Sequence, residues 1–217
     1  MRGTIIPSVG KRTIVHLDLD TFFVSVERLQ NSKLDGKPVL IGGTSDRGVV
    51  ASCSYEARQY GVSSAMPMKM ALRLCSDAVV VRGDSENYSR YSKMVTEIIA
   101  ERAPTFEKAS IDEHYIDITG MDRFFGSFKW TTELRERIIK NTGLPISFGL
   151  SVNKTVSKIA TGEAKPNGLL HVGQEQVQPF LFPLSIKKYP CSAPNRFSYS
   201  GLWAFPILKP LAKFLPK

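Results

Sequence analysis

Residues Ile14 to Phe23 read Ile-Val-His-Leu-Asp-Leu-Asp-Thr-Phe-Phe, and no other stretch constrains the chain as tightly. Apolar and polar side chains alternate with a period of two, which predicts a half-buried β-strand. Val15, Leu17 and Leu19 then face a core, with His16, Asp18 and Asp20 on the opposite face. Two aromatic residues, Phe22 and Phe23, follow at once. A strand that ends in acids offers hard oxygen ligands of the kind Mg²⁺ takes. An aspartate at a strand end also serves as an ordinary turn residue, so one such strand proves little.

A second acidic cluster, Ser110-Ile111-Asp112-Glu113, supplies what the first lacks. It lies between two strand-like runs, 105–110 and 113–118, whose two-residue separation is hairpin spacing, although Ile111-Asp112 lacks the usual glycine. Along a straight strand Asp112 and Glu113 point to opposite faces; at a hairpin tip they can converge. With that hairpin beside the first strand, Asp18, Asp112 and Glu113 form a three-carboxylate site. Carboxylates that close repel one another unless divalent cations neutralise them. Two cations about 3.5–4 Å apart suit in-line phosphoryl chemistry. The alternative is two unrelated acidic turns, and the residues alone leave both open.

The rest of the chain supports an α+β layout. Apolar spacing predicts helices from Phe22 to Leu29, from Tyr55 to Tyr60 with Gly61 as a left-handed stop, and from Pro67 to Leu74. Val39–Gly42 and Val49–Cys53 read as short strands, so residues 21–83 form a compact insert. Helices are expected over 85–102, over 132–141 with Gly143 as its stop, and over 152–163 capped by Ser151. Strands are expected at 146–150 and, as an edge, at 169–172. The order β-α-β-β-α-β predicts helices layered on a mainly antiparallel sheet.

Composition narrows the class. At 217 residues the chain can bury a sizeable core, in one large or two small domains. A net charge of +9 favours a polyanionic partner. Six basic residues and no acids fall in 185–217, which leaves the body at only +3 and makes charge a weak argument for nucleic acid. Three cysteines without metal-ligand spacing argue against a disulfide framework and fit a reducing cytoplasm. No apolar run approaches the ~18 residues of a membrane span, and Met1–Arg12 is basic without the apolar region of a signal peptide.

These stretches together resemble Y-family, translesion-type DNA polymerases, on their bacterial DinB (polymerase IV) branch. The resemblance rests on DLDTFFVSVE from Asp18, GKPVLIGG from Gly36, VVASCSYEARQYGV from Val49, ASIDEHYID from Ala109, SFGLSVNKTVSKIAT from Ser147 and AKPNG from Ala164. They stand in the family's order over residues 13 to about 188. The resemblance implies a ferredoxin-like polymerase palm (1–20 and 84–173), a small α/β fingers insert (21–83) and a thumb segment (174–217) that is truncated or divergent. A DNA-directed DNA polymerase of the error-prone type is the implied activity, with two Mg²⁺ ions for which Mn²⁺ can substitute. Primer-template DNA and dNTPs are the implied partners of a monomer; the family's sliding-clamp peptide normally lies at a C-terminus that this chain does not match.

The family's site residues carry over position by position. Asp18, Asp112 and Glu113 match its metal-binding carboxylates, with the Leu19 carbonyl as a further ligand, while Asp20 matches an acid that is not a ligand. Phe22 and Phe23 fall at the nucleotide, and Phe23 takes the position of the steric gate that excludes a 2′-hydroxyl. A core phenylalanine opening a helix is the plainer reading of that ring. Ser52, Tyr55, Arg58 and Lys165 match residues that hold the triphosphate. Val49, Val50 and Ala51 match the roof over the nascent base pair, and Lys154 and Lys158 match a helix face that can meet DNA phosphates.

The resemblance stops near Tyr189. A Leu-Ser-Ile-Lys-Lys run like 184–188 leads, in the family, into a helix-hairpin-helix with a Gly-x-Gly turn, whereas 189–196 contains no glycine. Five prolines interrupt the last 29 residues. The expectation is a reading-frame change near codon 189, with no room for the rest of the thumb or for a little finger. Weak DNA grip follows from that expectation. Rival readings are an accessory protein of polymerase ancestry and an inactive fragment; nucleotide cyclases with a similar palm are disfavoured because no Gly-Gly-Asp/Glu-Glu-Phe run occurs.

Overall fold

The computed structural model describes residues 12–43, 48–121 and 126–190. Its elements run β1 (Ile14–Leu19), α1 (Phe22–Gln30), β2 (Val39–Gly42), β3 (Val50–Cys53), α2 (Tyr55–Gln59), α3 (Met68–Leu74), β4 (Val79–Val81) and α4 (Ser85–Ala100). They continue with β5 (Phe106–Lys108), β6 (Glu113–Asp117), α5 (Ser127–Thr142), β7 (Ile146–Ser151), α6 (Lys154–Ala164), β8 (Leu169–His171) and α7 (Val177–Leu181). Five strands form one sheet in the order β5-β6-β1-β7-β8, antiparallel except at β7–β8. Three form a second, in the order β3-β2-β4.

β1 is the centre of the large sheet and is buried on both faces, not half-buried as its alternation predicts. The alternation still sorts the faces. Val15, Leu17 and Leu19 join Ile116, Phe148 and Leu150 in a core closed by Val95 and Ile99 of α4 and by Leu134 and Ile138 of α5. On the other face, His16 pairs in register with Gly149, and there α6 lies down. A side chain at Gly149 would meet the Ser157 carbonyl at 2.2 Å and the Thr161 amide at 2.5 Å, so only glycine admits the helix this close. The helix thus covers His16, while Asp18, farther along the strand, keeps a small share of its side chain exposed.

The small sheet has its own core, Leu40, Val50, Cys53, Ala57, Met68 and Ala71, while Val39 and Ile41 on the other side of β2 pack into the main core. β4 was not expected: three valines in a row give no alternation, and they pair parallel to β2. α5 begins at Ser127, five residues before its expected start, and ends at Gly143 in the left-handed region. α6 is capped by Asn153, whose side chain accepts from the Val156 amide, and not by Ser151, which closes β7. Strands β5 and β6 are joined by four residues, not two.

The chain divides into two compact units, Met1–Leu184 and Ser185–Lys217. The first includes α7, with Leu181 buried. In the second, Ile186–Lys188 form a 3₁₀ turn whose start is capped by Ser185. The proline-rich segment beyond Pro190 lies outside the described residues.

Candidate active site

Register brings the acids together. Asp18, near the end of β1, pairs directly with Glu113, the first residue of β6, so both side chains leave the same face. Asp112 closes the β5–β6 loop next to them. Its carbonyl accepts from the Leu19 amide at 3.0 Å, and its Oδ1 accepts from Ser110 Oγ at 2.6 Å. The loop is anchored from beneath by α4: Ser92 Oγ donates to the Ile111 carbonyl at 2.5 Å and accepts from Lys108 Nζ at 2.7 Å. One turn on, Thr96 meets His114 Nε2 at 3.0 Å.

Both facing acids carry a lysine from α6 or the residue after it. Lys158 Nζ donates to both oxygens of Glu113, at 2.7 and 2.5 Å, and Lys165 Nζ donates to Asp18 Oδ1 at 2.5 Å. Behind them His16 is buried. Its Nδ1 lies 2.8 Å from Thr161 Oγ1, and its Nε2 has no hydrogen-bond partner, standing 3.7 Å from Glu113 Oε2.

The electrostatics follow from burial. Asp18 is pushed up to about 7, first by loss of water and then by Asp112 and Glu113, with Lys165 pulling the other way. Glu113 is held down at about 2 by His16 and by Lys158, against its own burial. Burial lowers His16, against the pull of Glu113 beside it.

The donor set suits a hard divalent cation, since Asp18, Asp112 and Glu113 present carboxylate oxygens at adjoining strand ends. Among the described residues, however, no group of three His, Cys, Asp or Glu side chains converges as a ready metal site. The two ammonium groups stand on oxygens that a cation would take. For Leu19 the structure gives a backbone amide tied to the acid loop and a buried side chain.

Asp20, set aside in the sequence as a non-ligand, is the most heavily bonded acid here. Fully buried, it accepts from Ser147 Oγ at 3.0 and 2.9 Å, from the Asn167 amide at 2.6 Å and from Tyr55 Oη at 3.5 Å. It thereby ties β1 to β7, to the Lys165–Gly168 loop and to α2 of the small-sheet insert. Arg135 clasps the same loop from α5, donating to the Ile146 and Asn167 carbonyls at 2.8 and 3.0 Å. Nothing in the Asp20 side chain alone signals this; the buried serine and the Pro-Asn-Gly turn that satisfy it lie more than 120 residues away.

Past Asp20, Thr21 sits in the left-handed region at φ 41, which swings the chain from strand to helix. Phe22 turns into the core. Phe23 stays partly exposed and stacks on Tyr88, ring centroids 4.4 Å apart, while Tyr88 Oη donates to Glu27 at 2.6 Å. On α2, Arg58 is exposed, its guanidinium 5.0 Å from the centre of the Tyr55 ring. No acidic partner neutralises it among the described residues.

Strand alternation sorts the remaining candidates. Val50 is wholly buried in the small-sheet core, so of the three expected roof residues only Val49 and Ala51 present side chains outward. Ser52 is buried on the same strand. Lys154 is paired with Glu107 and lies over the Tyr115 ring, and Lys158 is taken up by Glu113, so neither is a free cation in this structure.

Residues 17–162 match the impB/mucB/samB family. The DNA polymerase IV of Treponema denticola is 42% identical over 178 residues, which is 82% of this chain and 45% of that protein. That of Desulfatibacillum aliphaticivorans is 44% identical over 176 residues, 81% of this chain and 44% of that protein. Among solved structures, the insertion ternary complex of Dbh DNA polymerase matches with a TM-score of 0.76 at 30% identity, covering 84% of this chain and 55% of that one. DinB from Sulfolobus solfataricus matches with a TM-score of 0.77, also at 30% identity, covering 84% and 54%. The chain spans about half the length of the curated relatives it matches. No described helix is long and apolar enough to cross a membrane. Matched over more than half its length, and with an α+β architecture that agrees with polymerase palm and fingers, the chain belongs to the impB/mucB/samB family, on its Y-family, DinB-like side.

Proposed function

We propose that the chain carries the chemical core of an error-prone, translesion-type DNA-directed DNA polymerase, which adds a deoxynucleotide to a primer 3′-hydroxyl and releases pyrophosphate. The observation that carries this reading is the pairing of Asp18 with Glu113 across the β1–β6 register, beside Asp112, in a chain of this family. Two Mg²⁺ ions, or Mn²⁺ in their place, held by Asp18, Asp112, Glu113 and the Leu19 carbonyl, would stabilise the attacking and leaving oxygens together.

The chain's own residues bind and orient the substrate. Arg58 is the natural phosphate contact, because its planar fork grips two oxygens at once and no acid among the described residues neutralises it. Tyr55 stands beside it, fixed by Asp20, and Lys165 can exchange Asp18 for a triphosphate oxygen. Phe23 closes the sugar side, with Val49 and Ala51 above the base. Ser52 is too buried to reach a phosphate unless its strand shifts. Lys154 and Lys158 can meet DNA phosphates only by leaving Glu107 and Glu113, and such contacts would position DNA without reading sequence. Primer-template DNA and dNTPs are thus the proposed partners.

One observation favours the rival reading, an accessory or remnant without activity: lysines already neutralise Asp18 and Glu113. Primer extension with Mg²⁺ and each dNTP at low salt decides between the two, since weak DNA grip is mostly counterion release. Extension that disappears in Asp112→Ala/Glu113→Ala supports the polymerase. Absence of both extension and Mg²⁺-dependent dNTP binding overturns it.

A further inference from the structure

We infer that Lys158 and Lys165 are built-in counter-cations of the carboxylate pair, so that a divalent cation loads this site only by displacing them. The inference deepens the polymerase reading and rests on the same carboxylates. Its basis is geometric. Lys158 donates to both oxygens of Glu113 and so places its charge between them; Lys165 takes one oxygen of Asp18, the residue facing Glu113 in the register.

Neither contact is a casual surface pair. The four side chains are 13–35% exposed, half-buried rather than solvated. Lys158 projects from α6, which Gly149 lets down onto the sheet. Lys165 opens the loop that Asp20 holds by the Asn167 amide. Both ammonium groups are thus delivered by backbone that the fold fixes firmly. His16 completes the arrangement: buried with Nε2 unpartnered and 3.7 Å from Glu113, it offers that carboxylate no direct hydrogen bond. Asp112 is treated differently, since its recorded partner is the neutral hydroxyl of Ser110.

The two lysines are not equivalent. A triphosphate gives Lys165 an alternative anion, which frees Asp18 when nucleotide arrives. Lys158 has no such exchange partner in the nucleotide and holds Glu113 until the cation itself competes. Cation loading is therefore resisted in the empty site and eased by substrate.

The test is direct titration of the full chain with Mn²⁺ alone, followed by the paramagnetic resonance of the free ion, with no nucleotide or DNA. Lys158→Met and Lys165→Met should each bind Mn²⁺ about tenfold tighter than the unaltered chain, because a fixed positive charge a few ångströms from the cation is removed. Lys158→Arg, which keeps the charge, should bind as weakly as the unaltered chain. That variant also separates the charge effect from damage to the fold. Equal or weaker binding by Lys158→Met overturns the inference, as does tighter binding that survives in Lys158→Met/Glu113→Gln, where the cation would be lodged elsewhere. Primer extension distinguishes the two proposals. Tightened Mn²⁺ binding without extension leaves the counter-cation inference standing and removes the polymerase reading; extension with Mn²⁺ affinity unmoved by Lys158→Met does the reverse.

Discussion

Phe23 and Tyr88 lie nearly face to face, ring centroids 4.4 Å apart and planes 27° from parallel. The partnership joins the start of α1 to the start of α4, and Tyr88 is fixed in turn by its 2.6 Å bond to Glu27, one helical turn beyond Phe23. The gate proposed at Phe23 needs a ring that does not yield, and here the ring is braced from behind by an aromatic face and a buried carboxylate. Tyr88→Ala should reduce the discrimination between dNTP and rNTP, read as the ratio of kcat/KM in single-nucleotide insertion, by about tenfold. Tyr88→Phe keeps the stack but strands Glu27, and should cost about 1–3 kcal/mol in urea unfolding. Unaltered discrimination in Tyr88→Ala would show that Phe23 needs no brace.

Ser92 holds the acid loop from below, and its position on α4 gives the hydroxyl two tasks at once. It donates to Ile111 and accepts from Lys108 while almost fully buried. Ser92→Ala takes a partner from the part-buried Ile111 carbonyl and from the Lys108 ammonium, a loss of about 1 kcal/mol in global stability. The local effect is the more specific one. Amide hydrogen exchange across 109–113 should accelerate well beyond that of β7, since the loop loses its side-chain hydrogen bond from α4. Uniform acceleration across the sheet would mean that Ser92 merely contributes to stability.

The division of labour between sequence and structure is clear in particular residues. The alternation of 14–20 identified the strand and its faces, because side-chain direction is a property of the backbone alone. It misjudged burial, because that depends on α6, and α6 reaches the sheet only through Gly149, more than 130 residues on. The pairing of Asp18 with Glu113 was legible as soon as the hairpin was placed beside β1. Their engagement by Lys158 and Lys165 was not, since those lysines sit in a helix and a loop whose local pattern suggests solvent or phosphate. The burial of Val50 was not legible either: a run of small apolar residues, Val49-Val50-Ala51, does not announce which member faces inward. Asp20 was legible as an acid that is not a ligand, on the face opposite the core; its burial was not, because Ser147 and Asn167, which satisfy it, come from distant segments.

Asp18 makes the site sensitive to pH. Burial raises its folded-state value to about 7, above the ordinary aspartate value near 4, so the folded chain binds a proton that the unfolded chain releases. Its contribution to stability is therefore full below pH 4 and lost as pH rises through 7. Glu113 runs the other way: held at about 2, it stabilises the fold above pH 4.5 and loses that contribution as pH falls toward 2. Asp18→Asn removes only the first effect. Relative to the unaltered chain, this variant should gain stability between pH 4 and 7, by on the order of 3 kcal/mol across the interval. Urea midpoints at pH 4, 5.5, 7 and 8 measure the difference. The same protonation predicts that Mn²⁺ affinity falls below pH 7 with release of about one proton per ion bound. A flat stability difference would place the proton elsewhere.

Gly149 is the residue on which the placement of Lys158 depends. Its α-carbon faces the backbone of α6 so closely that an added methyl group would meet the Ser157 carbonyl at 2.2 Å, the Thr161 amide at 2.5 Å and Ala160 Cβ at 2.8 Å. Two of these are backbone atoms within the helix and cannot rotate aside, so Gly149→Ala must lift α6 or bend β7. Overpacking of this kind costs about 1–3 kcal/mol, and urea unfolding should register it. The consequence for the site is separable from the loss of stability. Lys158 lies on the lifted helix, whereas Asp18 and Glu113 lie on strands held by their own register, so the Lys158–Glu113 contact should lengthen while the sheet stays intact. Gly149→Ala should then bind Mn²⁺ more tightly than the unaltered chain even though it unfolds more readily. Loss of stability with Mn²⁺ affinity unchanged would mean that the strand bends and carries the carboxylates with it.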